Sequence, residues 1–260
     1  YNTAVGYNAG AAVTTGVQNT FIGGLAGDAT DDGTNNVAVG FEALSANCGS
    51  GNTSVGTRAG KATTADNNTA VGYASLLANT TGAENVAVGA NALDANTSGV
   101  SNVAVGQGSL DSNTTANNNT AVGHDSMKSN TTGAENTAVG KGALNGNTTA
   151  SNNTAVGRSA LAANTTGAGN VALGAGSLDA NTTADNSTAV GYNSLSANTT
   201  GINNTGMGAF SMITNSTGQS NVAVGYASLA GNTTASNNTA VGYNSLTANT
   251  TGASNTAVGK

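Results

Sequence analysis

A short sequence motif, called the phrase below, recurs at a fixed interval and constrains the fold of this chain more than any other feature. Asn-Thr-Ala-Val-Gly, or a close variant, ends at sixteen glycines from Gly6 to Gly259. The step between them is constant, as from Gly72 to Gly89, and is one position shorter only on either side of Gly56. So short and regular a period is typical of solenoids and leaves no room for a linker. We therefore predict one continuous repeat region over residues 1–260, and expect a fragment of a longer chain because the sequence starts and stops within the phrase.

Positions counted from this anchor glycine behave as columns, each accepting a narrow set of side chains. The residue before the glycine is Val in most repeats and otherwise Ile, Leu or Met (the valine column), and the residue two before it is mostly Ala (the alanine column). Asn stands four before the glycine in every repeat except at Ser187 (the first Asn column). From Gly72 onward, Leu or Met stands four after it (the leucine column) and Asn seven after it (the second Asn column).

The residue types in these columns predict an all-β fold. Asn, Thr, Val and Gly are poor helix formers, whereas Thr or Val three before the glycine and Val directly before it are the alternating β-branched residues of a short strand. We predict that each 17-residue coil makes one turn of a parallel β-solenoid, or β-roll. A second short strand is expected through Ser-Leu-x-Ala, with Gly and Asn at the bends because they tolerate positive φ.

The predicted core consists of the valine and leucine columns, and the predicted hydrogen-bond ladders consist of the two Asn columns. Identical side chains in successive in-register coils lie about 4.8 Å apart, so their amides can bond along the stack. The core residues are Val71, Leu76, Val88, Leu93, Val139, Leu144, Val241 and Leu246. The ladder residues are Asn68, Asn85, Asn102 and Asn119 in the first column, and Asn79, Asn96, Asn113 and Asn130 in the second.

The charged side chains are sorted, which indicates an inside and an outside. Nearly all of them fall in five columns, one of which contains Lys141, and Asp31 and Asp32 are among the exceptions. Because an unpaired buried charge is costly, these columns are expected to face water. The alanine column is expected to point away from the valine face and to form a seam with a partner chain. We therefore predict a homo-oligomer, with a trimer as the expected state.

Composition excludes two classes of partner. The formal net charge is −6 and only 7% of residues are charged, so nothing electrostatic would recruit nucleic acid or an anionic membrane. No apolar run approaches the roughly 20 residues needed to cross a bilayer, and the chain does not begin like a signal peptide. We expect no membrane span in this segment.

The residues that carry chemistry are few. His124 is the single histidine and has no Cys or second His with which to share a metal or a proton, so we predict no enzyme activity and no cofactor. Asp28, Thr30 and Asp32 copy the opening of a calcium loop and form a weak candidate metal site, but Val39 stands where a bidentate Glu is required. Cys48 is expected to fill a small polar position. Five tyrosines share an outward column with Phe41 and are expected to pack at a corner: Tyr7, Tyr73, Tyr192, Tyr226 and Tyr243.

The phrase Asn-Thr-Ala-Val-Gly-x-x-Ser, at 68–75 and 238–245, resembles the head repeats of trimeric autotransporter adhesins. With its Leu-x-x-Asn-Thr-Thr-Gly continuation it also resembles repeats of bacteriophage and bacterial tail-fibre-like proteins. The resemblance implies a left-handed parallel β-roll, three rolls side by side and a surface-binding role. The adhesin head repeats are shorter than the repeat of this chain, and neither a stalk, an anchor nor a terminal chaperone domain is recognised in this sequence.

Three functions are compatible with these expectations. The first is a non-enzymatic structural and adhesive fibre, extracellular, on a cell or virion surface, whose partners are copies of itself and a host-surface glycan or protein. The second is a self-assembling extracellular filament in which coils stack end to end. The third is an ice-binding solenoid, which requires an outward Thr-x-Thr array. Because Val alternates with Thr at the position three before the glycine, that position is expected to be partly buried, which disfavours ice binding.

Overall fold

The strands of this protein are all three residues long and end at the valine column. A computed structural model describes every residue from Tyr1 to Lys260 and divides into two compact units, Tyr1–Thr132 and Gly133–Lys260. Unit 1 contains β1 (Thr3–Val5), β2 (Thr20–Ile22), β3 (Val37–Val39), β4 (Thr53–Val55), β5 (Thr69–Val71), β6 (Val86–Val88), β7 (Val103–Val105) and β8 (Thr120–Val122). Unit 2 contains β9 (Thr137–Val139), β10 (Thr154–Val156), β11 (Val171–Leu173), β12 (Thr188–Val190), β13 (Thr205–Met207), β14 (Val222–Val224), β15 (Thr239–Val241) and β16 (Thr256–Val258).

Within each unit, consecutive strands pair in parallel and in register, so that each column of the sequence becomes a column in space. In unit 1, for example, Val71 lies beside Val88 and Ala70 beside Ala87. The prediction of a parallel β-solenoid built from 17-residue coils is therefore confirmed. The chain contains no helix, and so none that could cross a membrane.

The anchor glycine is required by two independent features of the coil. At Gly89 the backbone has a φ of +133°, a conformation that side chains rarely adopt. A Cβ atom at this position would also lie 2.6 Å from the carbonyl carbon and oxygen of Gly106 in the next coil. The coils therefore stack closely enough here that only a residue without a side chain fits.

The Ser-Leu-x-Ala segment forms turns, so the prediction of a second strand is wrong. The backbone N–H of Ala92 donates to the carbonyl of Gly89, and that of Asn96 donates to the carbonyl of Leu93, which closes two successive turns. Leu93 itself has a φ of +52°, and the leucine column shares this left-handed conformation. The conformation costs about 1–2 kcal/mol, whereas burying a leucine yields about 1.5–3 kcal/mol, so burial decides the geometry.

The interior of the coil, here called the lumen, is filled by small and polar side chains around one large one. The leucine column is the large element: Leu76, Leu93 and Leu144 are fully buried, while Leu246 in the last coil is partly buried. The alanine column, including its substitutions such as Phe21, is buried from β2 to β15 and lies on the inner side of the sheet. It therefore cannot be the seam predicted from the sequence.

The valine column lies on the outer side of the sheet, which corrects its assignment to the core. Val71, Val88 and Val241 are partly exposed, and Val139 is 37% exposed. The physical reason is the width of the lumen. Successive residues of a strand point to opposite faces, and the lumen has room for one alanine opposite the leucine but not for two β-branched side chains. No charged residue is buried, as the sorting of the charges predicts.

Both Asn columns line the lumen and bond from coil to coil, but in different ways. In the second column, Asn96 Nδ2 donates to Asn79 Oδ1 at 2.9 Å, and Asn113 Nδ2 donates to Asn96 Oδ1 at 2.9 Å. In the first column, the side-chain oxygen accepts from the backbone of the next coil, as where the N–H of Asn102 donates to Asn85 Oδ1 at 3.0 Å. Asn68, Asn119 and Asn130 are buried in the same two columns.

The two Asn columns are joined by a shared acceptor. The carbonyl oxygen of Gly99 accepts from Asn85 Nδ2 at 2.8 Å and from Asn96 Nδ2 at 3.1 Å. The same arrangement returns in unit 2, where the carbonyl of Ala184 accepts from Asn170 and Asn181. Because buried polar groups are costly unless they are bonded, this shared carbonyl explains why both columns accept almost nothing but Asn.

The first two coils lack the leucine, and a large side chain on the opposite wall replaces its volume. Gly10 and Gly27 stand in the leucine column, while Phe21 replaces an alanine and is fully buried. A Cβ atom at Gly27 would lie 2.6 Å from the Phe21 ring, and one at Gly10 would lie 2.9 Å from it. One large side chain therefore fills space that leucines occupy in later coils.

Candidate interaction surfaces

The outer side of the sheet is the most regular surface of the protein. We define the sheet face as the side chains of the first and third residues of each strand. These residues are Thr, Val or Ile in unit 1 and Thr, Val, Leu or Met in unit 2, and none is charged. They are partly to well exposed along both units, with the aliphatic side chain of Met207 reaching 44%.

The spacing of the sheet face follows from the register of the strands. Side chains of one column repeat about every 4.8 Å along the sheet, and the two columns of one strand are about 7 Å apart because they are separated by two residues. Such a face offers methyl groups in regular rows with hydroxyls interspersed. Covering a surface of this kind with another apolar surface lowers the free energy, because apolar side chains are removed from water.

Acidic side chains form a second surface feature, on the turns. Burial raises the pKa of the Asp94 carboxyl, and the charge of Asp111 raises it further. Burial likewise raises the pKa of Asp111 and of Asp179. His124 is exposed, with its Nδ1 atom 3.1 Å from Asp125 Oδ2. These carboxylates do not converge with other ligands, and no group of three His, Cys, Asp or Glu side chains could hold a metal.

A groove with two cationic side chains lies on the outside of unit 1. It measures about 450 Å³ and is lined by Ser45, Ala46, Arg58, Lys61, Ala62 and Leu77. Arg58 Nε and Lys61 Nζ both bond to Oε2 of Glu42, at 3.1 and 2.7 Å. The hydrogen bond from Lys61 is the main cause that holds the pKa of Glu42 below its ordinary value.

Sequence reasoning missed this groove. Its lining residues come from the turns after β3, β4 and β5, which the chain separates by about one coil each. One signal was available: the two shortened coils meet at Gly56, and Arg58 and Lys61, two of the six basic residues, follow closely after it.

The aromatic side chains of unit 2 contact one another, whereas those of unit 1 do not. In unit 2, the rings of Tyr192, Phe210 and Tyr226 meet edge to face, with centroids 5.4 and 5.7 Å apart. Tyr226 and Tyr243 stack at 5.4 Å with an interplanar angle of 11°. Tyr7, Tyr73 and Phe41 in unit 1 are exposed without such contacts. Corner packing is therefore seen in unit 2, where Phe210 from the neighbouring column joins the tyrosines, and not in unit 1.

The residues of the calcium-loop pattern do not form a ligand set. Thr30 is fully buried in the lumen with its hydroxyl 3.1 Å from Cys48 Sγ, whereas Asp32 is exposed. Asp28 is partly buried and stands in the column five after the anchor glycine. Cys48 therefore lies inside the lumen, whereas Asn47 is exposed. Burial raises the pKa of the Cys48 thiol, which disfavours the reactive thiolate.

The sheet face, the acidic turns, the groove and the aromatic side chains are the candidate interaction surfaces of the protein. Comparison with protein-family models and with curated proteins gives no match. We therefore infer the function from the geometry of the sheet face and the groove.

Proposed function

We propose that this protein is a segment of a non-enzymatic structural and adhesive fibre, extracellular, on a cell or virion surface. The observation that carries the proposal is the sheet face: two uncharged columns that are repeated from coil to coil within each unit, in a chain that places its charges elsewhere. A repetitive surface of this kind suits a mechanical and binding role, because every added coil extends the same surface.

Self-association through the sheet face is part of the proposal. Spaces separate the rows of Val and Thr side chains at a constant interval, so the rows of one copy can fit the spaces of a second copy. Stacked sheets pack about 10 Å apart face to face. Covering the face removes aliphatic side chains such as Val139, Val156 and Leu173 from water. The resemblance to trimeric adhesin heads favours three copies. The seam is thus expected on the valine and threonine columns instead of the alanine column.

Light scattering of the purified chain tests this assembly. We expect a homo-oligomer for the native chain and a monomer for the double variant Val88→Lys and Val105→Lys, because two lysines would place unpaired charges in the seam. Gln107→Lys is the matched control, since Gln107 is exposed and off the sheet face, in the column that contains Lys141. A native chain that is monomeric at high concentration would contradict the seam.

Attachment is tested separately, with beads that carry the native chain and are presented to glycan-bearing cells. Retention of the beads above that of uncoated beads supports the adhesive role. Electron microscopy of the same sample distinguishes the alternative, because a self-assembling filament would grow open-ended.

Ice binding is a second candidate that one observation favours. Thr69, Thr120 and Thr154, three before their anchor glycines, are partly buried as expected, but they lie on the outer side of the sheet beside the valine column. Regular rows of hydroxyl and methyl groups are what an ice surface would contact. Measurement of thermal hysteresis decides the matter: a freezing-point gap that Val88→Lys and Val105→Lys abolish would support ice binding over a covered seam.

A further inference from the structure

The cationic groove of unit 1 coincides with the one place where the repeat is shortened. Its residues belong to the coils that begin at Gly40, Gly56 and Gly72, and the two shortened steps join these three glycines. Gly60 also replaces the leucine in the middle coil, and Asn47 is exposed next to the buried Cys48. The groove is thus a local departure from a surface that is otherwise repeated.

The charges in the groove do not balance. Arg58 and Lys61 share one carboxylate oxygen of Glu42, which leaves one positive charge in excess. Arg58 bonds to Glu42 through Nε, and its two Nη groups make no hydrogen bond within the chain. A guanidinium has five N–H donors, so four of them remain for a ligand. The side chains of Arg58 and Lys61 are 46% and 39% exposed and can therefore reach one.

The wall next to these cations is apolar. Ala46 and Ala62 line it, and Leu77 occupies the position five after the anchor glycine where later coils carry Asp94 or Asp111. Ser45 contributes a hydroxyl at the same position of an earlier coil. An apolar wall with a few convergent polar groups, in a volume of about 450 Å³, is typical of sites for small organic ligands.

We propose that this groove binds the carboxylate of an acidic sugar. The carboxylate would accept hydrogen bonds from the Arg58 Nη groups and from Lys61, since a planar guanidinium matches a carboxylate in two-point geometry. The C–H face of the pyranose ring would lie on Leu77 and Ala62, and a ring hydroxyl would meet Ser45. One excess charge suits a monoanion better than a phosphate dianion, and an open groove suits a sugar better than an acyl chain. This inference rests on the proposed adhesive function and names the chemistry of its partner.

Two variants remove the site with residues that other coils already tolerate. Arg58→Asn removes the guanidinium at a position with a φ of +61°, and Asn91 occupies the equivalent position with a φ of +55°. Leu77→Asp adds a carboxylate beside the cations, and Asp94 in the next coil shows that this column accepts Asp. Lys128→Ser is the matched control, because Lys128 shares the column of Lys61 but lies away from the groove.

Saturation-transfer NMR and calorimetry with glucuronic acid, N-acetylneuraminic acid and neutral glucose test the proposal. We expect the native chain to bind at least one of the two acids and not glucose, with binding that weakens as salt is added. Arg58→Asn and Leu77→Asp should each weaken binding tenfold or more, and Lys128→Ser should leave it within twofold. The preference between the two acids then identifies the natural source as a uronic or a sialic acid.

The outcome separates this inference from the proposed function. Equal binding of glucose, no binding of either acid, or equal losses in Lys128→Ser and Arg58→Asn would overturn the groove as a sugar site. If the beads that carry the native chain still attach to cells in that case, the adhesive function stands and another surface mediates it. Far-ultraviolet circular dichroism of each variant confirms that the coils are intact.

Discussion

Removing one amide from the second Asn column is the sharpest test of what holds the coils together. In unit 1, Asn96 Nδ2 donates to Asn79 Oδ1 at 2.9 Å and to the Gly99 carbonyl at 3.1 Å. Its Oδ1 accepts from Asn113 Nδ2 at 2.9 Å. Asn96→Ala therefore removes three hydrogen bonds from a fully buried position.

The size of the expected destabilisation by Asn96→Ala depends on which hydrogen bonds the partners of Asn96 keep. The Gly99 carbonyl still accepts from Asn85, and Asn113 Nδ2 still donates to the Ala116 carbonyl at 3.2 Å. Asn79 Oδ1 loses the hydrogen bond from Asn96 and stays buried. At a net 0.5–1.5 kcal/mol for each bond, with the larger penalty for an unsatisfied buried group, we expect a loss of about 2–4 kcal/mol in the free energy of unfolding.

Urea unfolding followed by circular dichroism measures this loss, and Ser98→Ala provides the control. Ser98 lies two positions further along the same turn and is exposed, so its substitution should change stability by less than about 0.5 kcal/mol. Equal midpoints for the two variants would refute the view that the Asn columns stabilise the stack.

Asn96→Asp sharpens the same test by keeping the shape of the side chain. A carboxylate can accept from Asn113 but cannot donate to Asn79 Oδ1 or to the Gly99 carbonyl, so it places oxygen against oxygen. We expect a larger loss than for Asn96→Ala at neutral pH. Burial raises the pKa of such a carboxyl, so the loss should shrink as the pH falls and the protonated acid regains one donor.

Three further outcomes are expected. Gly89→Ala should cost about 3 kcal/mol or more in urea unfolding, because it combines a φ of +133° with a clash 2.6 Å from the backbone of the next coil, whereas Gly24→Ala, with its nearest neighbour at 3.5 Å, should be tolerated. Phe21→Ala should cost about 3–5 kcal/mol by leaving a cavity. Adding Gly27→Leu should recover part of that loss, since Leu93 adopts a similar φ of +52° in the same column; no recovery would contradict the shared volume. Asp94→Asn should stabilise unit 1 at neutral pH, because a carboxyl with a raised folded-state pKa contributes stability below its ordinary pKa of 3.8 and loses it as the pH rises through the raised value. The thermal midpoint of the native chain, compared with that of the variant across this range, checks the sign.

The sequence was sufficient for the period, the strand and the outer position of the charges. The constant spacing of Thr-Ala-Val-Gly leaves little besides short parallel strands stacked in register, and the cost of an unpaired buried charge keeps side chains such as Lys141 outside. The Asn columns were also visible as columns. Their shared acceptor at the Gly99 carbonyl was not, because the amides of Asn85 and Asn96 that meet there come from opposite ends of the repeated phrase.

Only the tertiary structure decided which side of each strand is the inside. In a strand of this length, either the single Ala or the flanking Thr and Val can face inward, and hydrophobicity alone favours the larger pair. The lumen reverses that choice, because Leu93 enters from the opposite wall and leaves room for Ala87 but not for Val88. The same packing holds Leu93 at a positive φ that local preference opposes. The sequence by itself determined the repeat and its stacking, while the volume enclosed by each coil determined the core, the exposed sheet face and the groove beside Arg58.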